Sequence, residues 1–146
     1  MRGAVNDLQE GKMVLGKYTY QGAGMDRSYE NDMWTVGIKN YKVQSDIKFF
    51  NCLERHLQTD EIFIPITKGN VLVYLEENSS GAEYFRTEPL LMGTVYCVPR
   101  GMWHNVIMKE EDKIIIVERR GTSYGNSEEK NLTIKQKKEL SDKIIA

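Results

Sequence analysis

The sequence predicts an all-β fold, either a sandwich or a closed barrel, with one short helix at the C-terminus. Short apolar segments recur at regular spacing between residues 33 and 119, and turn-forming residues separate them. The C-terminal segment differs in kind. Thr133 and Gln136 have the spacing of a capping box, and a sparse apolar stripe of Ile134, Leu140 and Ile144 follows them.

Composition excludes several classes of function. The chain has 146 residues, which suits one domain, and a net charge of −1, so no basic excess favours nucleic acid. It has neither an apolar run long enough to span a membrane nor the apolar region of a signal peptide. Two cysteines, Cys52 and Cys97, lie within predicted strands, which favours reduced, buried thiols in a cytoplasmic protein over a disulfide framework.

The elements follow in order. Residues 1–32 are predicted to form an irregular arm with an edge strand at 13–20, residues 33–120 the barrel, and residues 121–146 a loop and helix. In the barrel, Pro65 predicts an edge position or a bulge, and 68–70 predicts a hairpin turn. The run 114–117 is apolar on both faces, so its outer face needs a cover from the termini or from a second subunit. The barrel strands are predicted at 33–41, 47–56, 61–67, 71–75, 82–87, 95–98, 104–108 and 113–119.

The two histidines of the chain fall in two patterned segments. After Gly93, a Pro99-x-Gly101 turn forces a sharp reversal, and His104 then opens a new strand. In the earlier segment, Glu54 and His56 are two residues apart and therefore share one face of a strand. Glu61 begins the next strand and can point into the same space.

These side chains have the chemistry of a metal site. Two imidazoles with one or two carboxylates suit Zn²⁺, Fe²⁺, Mn²⁺, Ni²⁺ or Co²⁺. We expect His56, Glu61 and His104 as ligands with Glu54 in reach, and coordination positions left open for water or substrate. For each residue a structural alternative stays open: a hydrogen-bonded histidine, an exposed Glu61 at a turn, or a Glu54 paired with a neighbouring cation.

The two segments resemble the motifs of the cupins. Gly93 through His104 fits the second cupin motif without a gap, and His56, Glu61 and Gly69 match the first, in which Glu54 stands at the first histidine position. The resemblance implies a double-stranded β-helix, or jelly-roll barrel. Within the cupins, the segments 55–65 and 101–104 are similar to the ureidoglycolate lyase group, which are dimeric barrels that split ureidoglycolate into glyoxylate and urea.

That resemblance implies a cytoplasmic homodimer acting on a small molecule, with Glu61 and His104 as catalytic groups and a divalent metal or a general base at the hemiaminal carbon. A cation would hold the substrate carboxylate. The candidates for substrate binding are Lys48, Tyr74, Arg86 and Tyr96; strand parity places Arg55 on the face opposite His56. Two alternatives remain at this stage: a binding cupin without catalysis, and a metal-independent sugar isomerase or epimerase with a histidine or tyrosine base.

Overall fold

A computed structural model describes residues 8–9 and 12–145, and its main strands form two facing five-stranded antiparallel sheets. The regular elements are β1 Leu8–Gln9, β2 Lys12–Met13, β3 Met25–Glu30, β4 Trp34–Asn40, β5 Cys52–His56, β6 Glu61–Pro65, β7 Val71–Glu77, β8 Glu83–Pro89, β9 Tyr96–Val98, β10 His104–Ile107, β11 Lys113–Arg119, β12 Ser127–Asn131 and α1 Ile134–Ile145. Short 3₁₀ turns occupy Val43–Ser45 and Tyr124–Asn126.

The strand order identifies a jelly roll. One sheet runs β3-β4-β11-β6-β9 and the other runs β12-β5-β10-β7-β8. From β4 to β11 the chain alternates between the sheets, except for the β7–β8 hairpin, so that four strands of each sheet interleave as two Greek keys. β3 and β12 extend the sheets at one side. The predicted all-β jelly roll with a C-terminal helix is therefore confirmed.

Two apolar clusters hold the layers together. The first fills the barrel between the sheets and includes Phe63, Val106 and Ile116. The second lies under α1, where Leu140 packs on the outer face of the β5-containing sheet. The helix begins with the predicted capping box: the Thr133 N–H donates to the Gln136 side chain at 2.9 Å, and the Gln136 N–H donates to the Thr133 hydroxyl at 3.1 Å. Among the described residues no helix is both long and apolar enough to cross a membrane.

The structure corrects several sequence-based expectations. Residues 68–70 do not close a hairpin, because β6 and β7 belong to different sheets. β6 is not an edge strand. Pro65 is tolerated because β9 pairs only with Glu61 to Phe63, so no neighbour on that side needs the missing donor. Residues 127–131, expected in a loop, form β12 along β5. Both cysteines are free thiols, but Cys97 is exposed rather than buried.

Further boundaries differ from the predicted ones. β5 begins at Cys52, because residues 43–49 form a 3₁₀ turn and bends before it. In the N-terminal arm, only Met13 of the predicted strand 13–20 lies in a strand, the two-residue β2, and β3 is an edge strand of the barrel sheet.

The second sheet exposes an apolar outer face. The strand pairing places apolar side chains on it, and beside the buried Ile38 seven of them are at least partly exposed: Trp34, Val36, Ile62, Ile64, Ile66, Ile115 and Val117. The chain covers these residues only in part, and Trp34 and Ile66 each remain 45% exposed. The opposite faces of the same strands supply the barrel core. We refer to these seven residues as the apolar outer face.

Candidate metal centre

The four predicted metal-ligating residues meet inside the barrel. Glu54 and His56 come from β5, Glu61 from β6 and His104 from β10, and one ligand atom of each lies within 4.8 Å of the others. Glu61 Oε1 is at the centre of the group. It lies 2.7 Å from His104 Nε2 and 3.3 Å from His56 Nε2, while Glu54 Oε2 lies 3.7 Å from His56 Nε2.

Strand pairing aims these side chains. His104 is the register partner of Glu54 across the β5–β10 pair, so both project to the same face. The turn from Pro99 to Met102 crosses from one sheet to the other, and Gly101 adopts the left-handed region there (φ 85°). Its N–H donates to the His56 carbonyl at 2.9 Å, which ties the two histidine-bearing segments together.

Hydrogen bonds orient both imidazoles. His104 Nδ1 lies 2.9 Å from the Met102 carbonyl, which only accepts, so Nδ1 carries a proton. His56 Nδ1 lies 2.8 Å from the Ser127 hydroxyl. In both rings Nε2 is then the nitrogen that points toward the carboxylates. A partner on Nδ1 with Nε2 left for the ion is the usual arrangement of metal-bound histidines.

The donor set fits a divalent transition metal. His56 Nε2 is buried and makes no hydrogen bond of acceptable geometry, although a carboxylate lies nearby. A neutral His104 would direct its Nε2 lone pair at the Glu61 oxygen, which is repulsive. Either a proton on His104 or a cation shared with Glu61 removes that repulsion. Two nitrogens and two carboxylates match ions such as Zn²⁺, Fe²⁺, Mn²⁺ or Ni²⁺.

The electrostatics without an ion follow from the same contacts. Burial by itself raises the pKa of Glu61, but the hydrogen bond from His104 and the nearby His56 imidazole outweigh it and hold that pKa well below its ordinary value. Burial alone lowers the pKa of each histidine, yet the Glu61 carboxylate raises both above the ordinary range. The charged pair of Glu61 and His104 is therefore satisfied in the absence of metal, whereas His56 Nε2 is not.

Glu118 adds a fifth ionisable group that the sequence analysis missed. It is the register partner of Glu61 across the β6–β11 pair, and it is buried. Burial first, and the negative charge of Glu61 second, raise the pKa of Glu118 to about 8. Arg27 Nη2 lies 3.8 Å from its Oε2. At neutral pH this carboxyl group is largely protonated and can donate a hydrogen bond.

A cavity of about 310 Å³ opens onto the cluster. Carboxylates, cations, hydroxyl groups and one imidazole all contribute to its lining. Its lining comprises Met25, Arg27, Lys39, Lys42, Glu54, His56, Glu61, Glu118, Thr122, Ser123, Tyr124 and Ser127. This size and this mixed polar lining suit a small, polar ligand.

Comparison with known proteins places the fold. No family model and no curated protein matches the chain, whereas solved structures do. A variant of Pac13 from Streptomyces, solved with uridine, has 11% identity and a TM-score of 0.56 over 87% of this chain and 98% of its own. A cupin-2 domain protein from Shewanella frigidimarina has 23% identity and a TM-score of 0.46, with 70% and 85% covered. Oxalate decarboxylase from Bacillus subtilis has 15% identity and a TM-score of 0.44 over 66% of this chain and 24% of its own.

The chain has the double-stranded β-helix, or jelly-roll barrel, that is the cupin fold. The jelly-roll strand order carries this statement, and the similarity to solved structures agrees with it. At these identities the similarity concerns the fold alone. The residues of the cupin barrel therefore have to carry any statement about its chemistry.

The four substrate-binding candidates from the sequence lie outside the cavity lining. Lys48 is exposed in a bend before β5. Tyr74 shares the interior face of the cupin barrel and packs against its core, next to His104 in register. Arg86 is on the edge strand β8, with its guanidinium 2.7 Å from Glu76. The Tyr96 hydroxyl accepts the Leu91 N–H at 2.9 Å.

The structure confirms that Arg55 lies on the strand face opposite His56. It lies on the outer face of β5, stacked 4.5 Å from the Trp103 ring and paired with Glu128. The sequence analysis missed Lys39, Glu118 and Ser127. Lys39 and Glu118 share the period-two faces of Gly37 and Ile116, but that alternation alone does not show which face points inward.

Proposed function

We propose that this cupin is a metal-dependent enzyme acting on a small, oxygen-rich metabolite. The observation that carries the proposal is the buried, unbonded Nε2 of His56 beside Glu54 and Glu61, with His104 Nε2 converging on the same carboxylate. A bound divalent ion would act there as a Lewis acid, polarising a substrate oxygen or lowering the pKa of a coordinated water. The ligands would be His56, Glu61 and His104, with Glu54 as a fourth.

The remaining groups of the site support this chemistry. Glu118 is buried next to Glu61 and faces the cavity, so it can hold a proton near a bound substrate. The Ser123 and Tyr124 side chains lie at the cavity and can bind polar groups of the substrate. Ser127 orients His56 from the neighbouring strand.

The narrow form of the proposal is a lyase of the ureidoglycolate type. In that reaction the hydroxyl on the hemiaminal carbon loses its proton, a C=O bond forms, and the C–N bond breaks. The urea nitrogen takes up a proton as it leaves, which yields glyoxylate and urea. The cavity offers a buried carboxyl group for the proton transfer and cationic side chains for the carboxylate.

A second candidate rests on a different observation. The hydrogen bond between His104 Nε2 and Glu61 Oε1 is short, at 2.7 Å, and is satisfied without an ion. A metal-independent acid–base enzyme, such as a sugar isomerase or epimerase, would use this pair directly. Metal content separates the two candidates.

The deciding experiment is elemental analysis of untagged protein. Because the chain has two histidines, an imidazole-bound ion must be at His56 or His104. We expect about one transition-metal ion per chain, lost in His104→Ala and His56→Ala but retained in the surface control Glu110→Gln. Stoichiometric metal that survives both histidine substitutions contradicts the proposal. Release of urea and glyoxylate from ureidoglycolate then tests the narrow form, and no turnover by the metal-loaded protein removes it.

We also propose that the chain forms a homodimer through the apolar outer face. The seven partly exposed side chains of the apolar outer face form a contiguous apolar patch, and large patches of this kind mark interaction surfaces. Ile115 lies near the centre of this face, between Ile38 and Ile64 in register. In size-exclusion chromatography with light scattering we expect a dimer, converted to monomer by Ile115→Glu; a wild-type monomer contradicts this proposal.

A further inference from the structure

Two lysines in the lining of the cavity have no acidic partner within the described part of the chain. Lys39 projects from β4, and Lys42 follows that strand. Among the residues that the structure describes, neither ammonium group donates a hydrogen bond or lies within 4.0 Å of a carboxylate. Arg27 is engaged instead: its Nη2 donates to the Thr122 carbonyl at 2.5 Å and lies near Glu118. Lys39 and Lys42 are thus the cations available to a ligand.

Lys39 stands at an interior position of the barrel. Its register partner on β11 is Ile114, which is completely buried in the core between the sheets. Burial lowers the pKa of Lys39, and the charge of Lys42 lowers it further. A cation held in such surroundings without a partner is costly, and a bound anion offsets that cost.

A bound metal ion would increase the excess of positive charge in the cavity. The carboxylates of Glu54 and Glu61 act on Lys39 through space and favour its charged form. An ion held by the same two carboxylates would neutralise them. The cationic side chains of the cavity would then lack a compensating negative charge, so the metal-loaded site favours an anionic ligand.

We infer that Lys39 binds the carboxylate of a short metabolite whose hydroxyl or carbonyl end faces the histidines. This inference rests on the proposed function, because it assigns the substrate class of the same site. The cavity of about 310 Å³ is at the small end for ligand pockets. The nearby guanidinium of Arg27, which could bind a phosphate group with two hydrogen bonds, is already engaged with the Thr122 carbonyl. A short carboxylate therefore fits this cavity better than a phosphate ester.

The test uses glycolate as the probe and the metal-loaded full chain as the receptor. Isothermal titration calorimetry measures the Kd of glycolate for wild type, Lys39→Met and Lys39→Arg. The matched control is Lys68→Met, an exposed lysine in the turn before β7. We expect Lys39→Met to weaken glycolate binding at least tenfold, Lys39→Arg to retain most of it, and Lys68→Met to leave it unchanged.

Two parallel measurements separate the possible failures. Chelator competition gives the metal affinity of each variant, and inorganic phosphate replaces glycolate in a second titration. If metal binds but glycolate affinity is equal in wild type and Lys39→Met, the inference is overturned and the metal site stands. Tighter binding of phosphate than of glycolate overturns the substrate class. If neither the wild type nor any variant binds metal, the chelator competition contradicts the proposed function directly. Should Lys39→Met not fold by circular dichroism, Lys39→Gln takes its place.

Discussion

The hydrogen bond from Ser127 to His56 gives the sharpest prediction. Pairing of β12 with β5 puts the two residues directly opposite each other, and the hydroxyl lies 2.8 Å from Nδ1. In Ser127→Ala the ring loses the partner that keeps Nε2 directed at the carboxylates. Loss of such a partner typically weakens metal binding by about 10- to 100-fold, or roughly 1.4–2.7 kcal/mol. The fold itself should lose only about 1 kcal/mol, since one hydrogen bond is removed.

Competition with a fluorescent chelator measures this effect directly. Ser123→Ala is the matched control, because Ser123 lines the same cavity while its hydroxyl accepts the Gly125 N–H at 3.2 Å. We expect the control to keep wild-type metal affinity. Equal affinities for Ser127→Ala and Ser123→Ala would refute the reasoning, because His56 would then not depend on its orientation for binding.

Three further outcomes follow from the structure. In the metal-free protein the pKa of Glu61 is lowered by folding. Its contribution to the free energy of unfolding is therefore present above the unfolded pKa of 4.5 and is lost as pH falls. The pKa of His104 is raised by folding, so its contribution to the free energy of unfolding is present below 6.5 and is lost at higher pH. The raised pKa of Glu118 makes this loss at higher pH larger. The melting temperature of the metal-free protein should thus fall in both directions from mildly acidic pH, and a profile that rises steadily to alkaline pH contradicts this. Leu140→Ala should lower the free energy of unfolding by about 2–5 kcal/mol in denaturant titrations, with metal affinity unchanged, because the helix covers the far side of the sheet; a loss under about 1 kcal/mol would show that α1 is not part of the core. Arg86→Ala should leave glycolate affinity unchanged in calorimetry, since the side chain lies outside the cavity lining, and a tenfold loss would return it to the substrate site.

The fold could be predicted largely because apolar side chains mark its strands. The alternation at Glu61 to Pro65 and the run at 114–117 both became barrel strands in the expected places. β12 could not be predicted in this way. Its sequence, Ser127–Asn131, is polar because it is an edge strand with both faces largely in water, and only its pairing with β5 makes it extended.

The cluster of Glu54, His56, Glu61 and His104 could be predicted because the two histidines fell on recognisable spacings. Lys39 and Glu118 could not, for a physical reason. Alternation separates two faces of a strand but does not say which one points inward. On β4 the apolar side chains at Trp34 and Val36 lie on the outer face, while Lys39 lies inside. The usual expectation is that the apolar face of an alternating strand points inward, and β4 does the opposite because the barrel holds a polar site.

Anomalous diffraction from metal-loaded crystals tests the central claim most directly. Data collected at the absorption edge of the bound metal should show one strong peak among Glu54, His56, Glu61 and His104. Its distance from both Nε2 atoms should be about 2.0–2.1 Å if the ion is Zn²⁺. A peak bound elsewhere, or a fully loaded crystal in which His104 Nε2 still bonds only to Glu61, would contradict the account.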